Sequence, residues 1–337
     1  MTNISPLITE KAPLILTEIK KAKSILLHCH PSPDPDSVGS ALAMKFAIEQ
    51  LGGTATVIKG DSEIPPAFMH FPGAQDIVMK NWWEIDPSEY DLFIIVDSAL
   101  TGVSRTQLPV PPAMMKIINI DHHRTNEGSG SINIIEPTYP ATGQLLFDIL
   151  TEMGIKIIPE IAINLFMGIY TDTGGFKYSE TTSRTFEVAG KLATIVPEYH
   201  KVISQMENSS TLDDLRFQGL ALSSIHELSG GKVALAVVPY SKIQESKIPD
   251  ISISAGLVSS ILRRAGKCDV VGAIIEARPG KIKMSFRARN ANTHDVSKLA
   301  VALGGGGHKA AAGAACDMSL EAAQQKVVET IKELYNL

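Results

Sequence analysis

Groups able to do chemistry fall at five places along this 337-residue chain. The first is the run from His28 to Ser37, in which the imidazole of His30 and the carboxylates of Asp34 and Asp36 lie within seven residues. Such a mixed nitrogen and oxygen set suits a hard or borderline divalent cation such as Mn²⁺, Mg²⁺, Fe²⁺ or Zn²⁺. Pro31, Pro33 and Pro35 fix φ at alternate positions, so the loop is stiff and its side chains are pre-set. In an extended segment His28 and His30 face one side and Cys29 the other, which makes His28 a wall residue and Cys29 a small buried hydrophobe. The bland alternative for Asp34 and Asp36 is service as turn formers and helix caps.

The second place is Asp97, directly after the apolar run Leu92–Val96. A lone Asp there is ordinarily a cap, but its neighbours in the sheet change that expectation. The third is Asp121-His122-His123, after the Ile-rich run Lys116–Ile120, where three ionisable residues are costly to bury unless they pair or coordinate. The fourth is Asp172, after a helical segment and before Gly174 and Gly175. A helix C-terminus disfavours a carboxylate, so a positive group beside Asp172 would explain it. The fifth is the run Gly304-Gly305-Gly306-Gly307-His308. It is not the GxGxxG dinucleotide fingerprint, but its backbone N–H groups could form an anion-binding concavity, with a plain tight turn as the alternative. Arg287 and Arg289, two apart on a predicted strand, share a face and could fork a phosphate.

These residues need elements to position them. Strand-like runs at Ser24–Cys29, Thr54–Lys59, Leu92–Val96 and Lys116–Ile120 alternate with helical patterns at Ser40–Leu51, Gly143–Met153, Pro159–Tyr170 and Ser183–Val196. That alternation predicts an α/β domain with a mostly parallel sheet, whose ligands gather at strand ends. Gln205–Asp214 reads as a connector with a helix start at Thr211. Beyond it, Leu215–Leu228, Ser254–Ala265 and Leu320–Tyr335 read as helices. Lys232–Pro239, Asp269–Glu276 and Lys281–Ala288 read as strands, the last two joined by a turn at Arg278-Pro279-Gly280.

Composition narrows the class. Lys and Arg number 31 against 36 Asp and Glu, a net charge of −5, which argues against a groove tracking long duplex DNA. Cys29, Cys268 and Cys316 have neither disulfide-framework nor CxxC spacing. The first twenty residues lack a signal-peptide core, and no apolar run reaches membrane-span length. The expectation is a soluble cytoplasmic protein with no membrane partner.

The pattern His30-x-x-Pro33-Asp34-x-Asp36, then Asp97, then Asp121-His122-His123 with Asn126 following, then Asp172, resembles the four motifs of the DHH phosphoesterase family. The Gly304–His308 run resembles the glycine-rich signature of that family's C-terminal substrate domain. The resemblance spans nearly the whole chain and points to the stand-alone nanoRNase/pAp phosphatase subgroup. RecJ-type exonucleases are longer, and membrane-tethered cyclic-di-AMP phosphodiesterases carry N-terminal spans. Two departures stand out: Pro35 replaces the Gly common between the two aspartates, and the arginine strand reads Ser285-Phe286-Arg287-Ala288-Arg289 rather than a shorter Arg-Ser ending.

The resemblance implies a parallel-sheet catalytic domain over 1–195, a linker over 196–214 and a smaller α/β substrate-binding domain over 215–337, with the active site in the cleft between domains. It implies two divalent metal ions, Mn²⁺ first among them. His30 and Asp34 would hold one ion, Asp36, His122 and Asp172 the other, and Asp97 would bridge. Asp121 would orient a histidine, and His123 would contact the scissile phosphate or protonate the leaving oxygen. Arg287, Arg289, Gly305, Gly306, Gly307 and His308 would hold the far end of a short single-stranded RNA or small nucleotide. The implied reaction is hydrolysis of short oligoribonucleotides to mononucleotides, with phosphate removal from pAp (3′-phosphoadenosine 5′-phosphate), by a homodimer. Alternatives are a pApA or cyclic dinucleotide phosphodiesterase, a polyphosphatase and a non-catalytic nucleotide sensor.

Overall fold

The chain is seen in a computed structural model that describes residues 4–104 and 107–337, the side chains of Ile251 and His308 excepted. It divides into two compact units, Met1–Ser209 and Ser210–Leu337.

The first unit runs α1 (Pro6–Lys21), β1 (Ile25–His28), α2 (Pro35–Gln50), β2 (Ala55–Ile58), β3 (Leu92–Val96), β4 (Lys116–Asp121), β5 (Ile132–Ile135), α3 (Thr142–Glu152), α4 (Pro159–Asp172), α5 (Ser183–Ile195) and α6 (Tyr199–Glu207). Its five strands are all parallel in the order β2-β1-β3-β4-β5. Strand β3 shows why these segments became strands. Leu92, Ile94 and Val96 enter the main core under α1 to α5, while Phe93 and Ile95 join Trp82, Val103 and Met115 on the other face. Both faces are apolar, as a buried parallel strand requires. Because β1 lies between β2 and β3, the chain changes direction across the sheet there, and such a switch opens a crevice at the carboxyl ends of the strands.

Helix α2 starts at Pro35 rather than at Ser40. Asp34 caps it through a capping box with Ser37, and Pro35 takes the first helical position, where a missing N–H costs nothing. Asp36 therefore lies inside a helix whose residues Asp36–Met44 are all buried. The segment 196–214, expected as a linker, instead contains α6. Tyr199, Val202, Ile203 and Met206 recur at helical spacing and pack on the first core.

The second unit runs α7 (Leu212–Leu222), β6 (Ile225–Leu228), β7 (Val233–Val238), α8 (Tyr240–Glu245), α9 (Ala255–Leu262), β8 (Val270–Arg278), β9 (Lys281–Ala288), α10 (Val296–Ala302), β10 (Gly306–His308), β11 (Ala311–Asp317) and α11 (Leu320–Tyr335). Its mixed sheet has the order β10-β11-β9-β8-β7-β6, with only β7 and β8 parallel. One face buries residues of α10 and α11, the other residues of α7 and α9. The expected helix Leu215–Leu228 is broken at Ser223 and Ser224. Their hydroxyls take the carbonyls of Leu220 and Ala221, and Ile225–Leu228 pairs with β7 instead. No helix among the described residues is long and apolar enough to cross a membrane.

Candidate metal centre

The ionisable residues of the first four sequence clusters meet where β1, β3 and β4 end. Asp97 leaves β3 with φ at +56°, a left-handed conformation uncommon for a side-chain-bearing residue, and its N–H donates to the Ile120 carbonyl at 2.9 Å. Asp121 closes β4, and His122 and His123 follow it. Asp36 is fully buried in the first turn of α2, and Asp172 is the last residue of α4.

Asp36, His122 and Asp172 offer ligand atoms within 4.8 Å of one another, and so do Asp97, Asp121, His122 and His123. His122 is common to both groups. His30 and Asp34 belong to neither. His30 Nδ1 is 3.2 Å from the Ser32 amide, and Asp34 Oδ1 accepts the Ser37 N–H at 2.8 Å as a helix cap. His28 is a buried wall residue whose Nε2–H donates to the Val103 carbonyl at 2.9 Å, and burial pushes its imidazolium down to about 3.

The carboxylates crowd one another, an arrangement that protons or a bound cation would relieve. Burial first, and then the Asp172 carboxylate, push Asp34 up and take Asp36 up to about 8. Asp97 is raised well above the usual carboxylate value by burial and then by Asp36, Asp34 and Asp172. Among the described residues no Lys or Arg forms an ion pair with any of these four.

His122 shows where the missing charge belongs. Its Nδ1–H donates to the Tyr139 carbonyl at 3.2 Å, so Nε2 is the nitrogen with the lone pair. That nitrogen is buried, makes no hydrogen bond, and lies 3.2 Å from Asp172 Oδ2 and 3.6 Å from Asp97 Oδ1. A lone pair facing two carboxylates is repulsive unless a proton or a metal ion intervenes. Burial lowers the affinity of His122 for a proton, but Asp172 and Asp36 outweigh it and raise the group to about 9. A donor set of carboxylates and an imidazole, with no thiolate, fits a hard or borderline divalent ion. Cys29 is no competitor, since burial pushes its thiol up to about 12.

His123 is held differently. Its Nδ1–H donates to Asp121 Oδ1 at 2.7 Å, and that oxygen also accepts the amides of His122 and His123. Asn126 donates to Asp121 Oδ2 at 2.7 Å and to Asn119 Oδ1 at 3.0 Å, while Asn119 donates to the Ser98 carbonyl at 2.6 Å. Burial would raise the Asp121 carboxyl, yet His123 and Asn126 hold it below its ordinary value.

Several positioning groups escape a reading by residue type. The backbone amides of Thr142 and Gly143 donate to Asp36 at 2.7 and 2.8 Å, and Thr142 Oγ1 donates to Asp97 at 2.9 Å. Gly168 on α4 must lack a side chain, because a Cβ there would stand 2.3 Å from Asp36 Oδ1. Asn119, a lone amide in the run Lys116–Ile120, is the one signal the sequence offered.

In the second unit the predicted residues have local partners. Arg289 donates from Nε to the Cys268 carbonyl at 3.0 Å and from Nη2 to the Ala265 carbonyl at 2.9 Å. Arg287 donates to the hydroxyls of Ser285 and Ser260 and to the Phe286 carbonyl. The glycine run is mostly structural. Gly304, at φ +83°, and Gly305 close a Schellman turn after α10, with N–H bonds to Val301 at 3.0 Å and Ala300 at 2.7 Å. Gly306, Gly307 and His308 form the edge strand β10 paired with β11, and the His308 side chain lies outside the described ones. A Cβ on Gly305 or Gly307 would strike β11, whereas one on Gly306 would meet open space.

Comparison with known proteins agrees with this architecture. Residues 24–169 match the DHH family, N-terminal domain, and residues 230–336 match the DHHA1 domain. The bifunctional oligoribonuclease and PAP phosphatase NrnA of Thermus thermophilus is 28% identical over 326 residues, which cover 96% of this chain and 94% of that one. A probable bifunctional oligoribonuclease and PAP phosphatase NrnA of Streptococcus mutans is 27% identical over 304 residues, 89% of this chain and 92% of its own. The crystal structure of an exopolyphosphatase-related protein from Bacteroides fragilis covers all of both chains with a TM-score of 0.88 at 22% identity, which establishes the shared fold. With matched DHH and DHHA1 domains in the same chain, and relatives collinear with nearly all of it, this protein belongs to the DHH family.

Proposed function

We propose that the chain is a metal-dependent phosphoesterase that hydrolyses short oligoribonucleotides to mononucleotides and removes phosphate from pAp. The single observation that carries the metal reading is the unbonded Nε2 of His122 facing Asp172 and Asp97 in a pocket of carboxylates with no Lys or Arg paired to them among the described residues. The substrate class rests on the names of the relatives that align along nearly the whole chain.

The group Asp36, His122 and Asp172 supports one ion, the second ion is carried over from the family resemblance, and the oxygen-rich donor set suits Mn²⁺. Asp36, His122 and Asp172 would hold one ion, and His30, Asp34 and Asp97 would be the residues to hold a second. Divalent ions bound there supply Lewis acidity toward the phosphate and a water acidic enough to attack it at neutral pH. The chain does the rest. Tyr139 fixes the tautomer of His122, leaving Nε2 as its ligand atom. Asp121 holds Nδ1–H of His123, so Nε2 is the atom that carries a proton to the leaving oxygen. Arg287 and the amides around Gly306, with Gly305, Gly307 and His308, hold the far end of the substrate. Arg289 contributes by fixing the loop after α9, through the Ala265 and Cys268 carbonyls.

The test is a panel of 5′-labelled pApA, a five-nucleotide RNA and pAp with Mn²⁺, comparing the wild type with Asp97→Ala. AMP release that vanishes in the variant is expected, and the relative rates rank the substrates. Tight binding without turnover of any of the three sinks the reading.

A further inference from the structure

We infer that Thr142 is the positioning residue that ties the two ligand groups together, an inference that rests on the metal-dependent reading above. Helix α3 begins without a side-chain cap, since its cap position is Ala141. The first amides of such a helix need acceptors, and buried ones without them are costly. Here the acceptor comes from far away in the chain. Thr142 N–H donates to Asp36 Oδ2 at 2.7 Å and Gly143 N–H donates to Asp36 Oδ1 at 2.8 Å. Asp36 is thereby the cap of α3 as well as a candidate ligand.

The side chain of the same residue turns to the other group. Thr142 Oγ1 donates to Asp97 Oδ1 at 2.9 Å. Asp36 belongs to the cluster with His122 and Asp172, and Asp97 to the cluster with Asp121, His122 and His123. Thr142 thus grips one carboxylate of each cluster, by its backbone and by its hydroxyl. It is completely buried, and its branched side chain has few rotamers to choose among, so the two carboxylates are held at a set separation. The hydroxyl also restrains a residue whose backbone sits in the left-handed region. The amide contact survives any substitution except proline, whereas the hydroxyl contact is removed by one isosteric change.

The experiment is calorimetric titration of Mn²⁺ into the full-length, metal-stripped chain, run beside thermal unfolding in chelator and pApA hydrolysis across Mn²⁺ concentrations. Thr142→Val keeps the shape and loses the hydroxyl; Thr142→Ser keeps the hydroxyl. Loss of a group that orients a metal ligand typically costs about 10- to 100-fold in affinity, and that weakening is expected for Val, with Ser close to wild type. The Val variant should recover its rate at raised Mn²⁺, and its metal-free unfolding should stay near wild type. Wild-type affinity in Thr142→Val, or equal weakening in Val and Ser, overturns the assignment. Should Val not fold, Thr142→Ala against Thr142→Ser makes the same comparison, and equal affinities there overturn it too. A wild type that binds no Mn²⁺ and hydrolyses nothing refutes the functional reading and this inference with it. A wild type that does both, beside an unaffected Val variant, refutes only the role of Thr142.

Discussion

The two units bury their polar groups in opposite ways. Among the described residues, every buried ionisable side chain lies in the first unit: His28, Asp36, Lys59, Asp97, Asp121 and Asp148. The second unit buries only hydroxyls, those of Ser252, Ser259, Ser285 and Thr330. Part of the charge in the first unit is neutralised within the protein, as where Arg184 reaches Asp148 at 2.5 Å. The Asp36, Asp97 and Asp172 cluster has no Lys or Arg partner among the described residues, only the imidazoles of His122 and His123 beside it. Burying like charges beside one another costs stability, so a fold keeps such an arrangement where an added cation reverses the sign. The second unit carries its charge outside, in pairs such as Lys281–Asp317 and Arg278–Asp250, each worth little. One unit gathers carboxylates in its interior; the other keeps its charges in pairs at the surface.

The largest expected effect tests that contrast at its centre. Asp97→Asn keeps the shape, including an acceptor for Thr142, and removes one charge from the cluster. Hydrolysis should fall roughly a thousandfold, the scale of losing one electrostatic stabiliser in a reaction site. The metal-free chain should at the same time become harder to unfold. A metal-free variant less stable than wild type would mean that Asp97 is a structural group, and the contrast between the units would lose its basis.

The contrast sharpens with pH. Asp36 ordinarily titrates near 3.8 and here near 8, so between those values the folded chain holds a proton that the unfolded chain has released. Stability from this group is therefore lost as pH rises from about 4 to about 8. His122, raised from 6.5 to about 9, contributes stability below 6.5 that disappears as pH climbs through 9. Both act in the same direction. Metal binding needs these groups deprotonated, so the stabilisation by Mn²⁺ should grow over the same range. Hydrogen exchange on the whole chain can read the units separately. Metal-free opening energies in β1, β3 and α2 should fall from pH 5 to pH 8 and recover with Mn²⁺, while those in β8 and β9 stay level. A parallel shift in both sets would contradict the division.

How much of this was legible in the sequence follows the same division. In the first unit, Leu92–Val96 was readable to the residue because an unbroken apolar run bounded by polar residues admits few alternatives. Of the six residues proposed as ligands, Asp36, Asp97, His122 and Asp172 fall in the two clusters, whereas His30 and Asp34 do not, and Asp34 caps α2 as the plainer reading of its residue type allowed. The partners of these residues were not readable. Thr142, Gly143 and Gly168 matter through contacts with Asp36, more than a hundred residues away in sequence, and nothing in their local pattern signals it. In the second unit β11 reads Ala-Ala-Gly-Ala-Ala-Cys-Asp, without the branched residues that favour strands, and it is a strand because β9 pairs along its whole length. The glycine run allows two readings, a ligand loop and a tight turn, for a similar reason. A turn and a close strand crossing demand glycine as strictly as an anion does, and only the neighbouring backbone tells them apart.

The smallest effect separates two arginines that sequence spacing had placed together. Arg287 and Arg289 share a face of β9 and its extension, but Arg289 donates to the carbonyls of Ala265 and Cys268, whereas Arg287 donates chiefly to the hydroxyls of Ser285 and Ser260. A hydrogen bond to a charged donor contributes about 1.5 to 3 kcal/mol when buried, and Arg289 is exposed, so Arg289→Ala should cost only about 1 kcal/mol of stability. Its kcat and KM should stay at wild-type values. Arg287→Ala, which loses the bonds to Ser285, Ser260 and the Phe286 carbonyl, should cost a similar ~1 kcal/mol of stability and in addition raise KM for pApA about tenfold, equivalent to about 1.4 kcal/mol of binding, with kcat little altered. The pattern matters more than either number. If Arg289→Ala raised KM as much as Arg287→Ala, both guanidiniums would engage substrate and the carbonyl contacts would yield when it binds. If neither moved KM, the second unit would hold substrate through backbone amides alone, and Gly306, whose missing Cβ faces open space, would become the position to substitute.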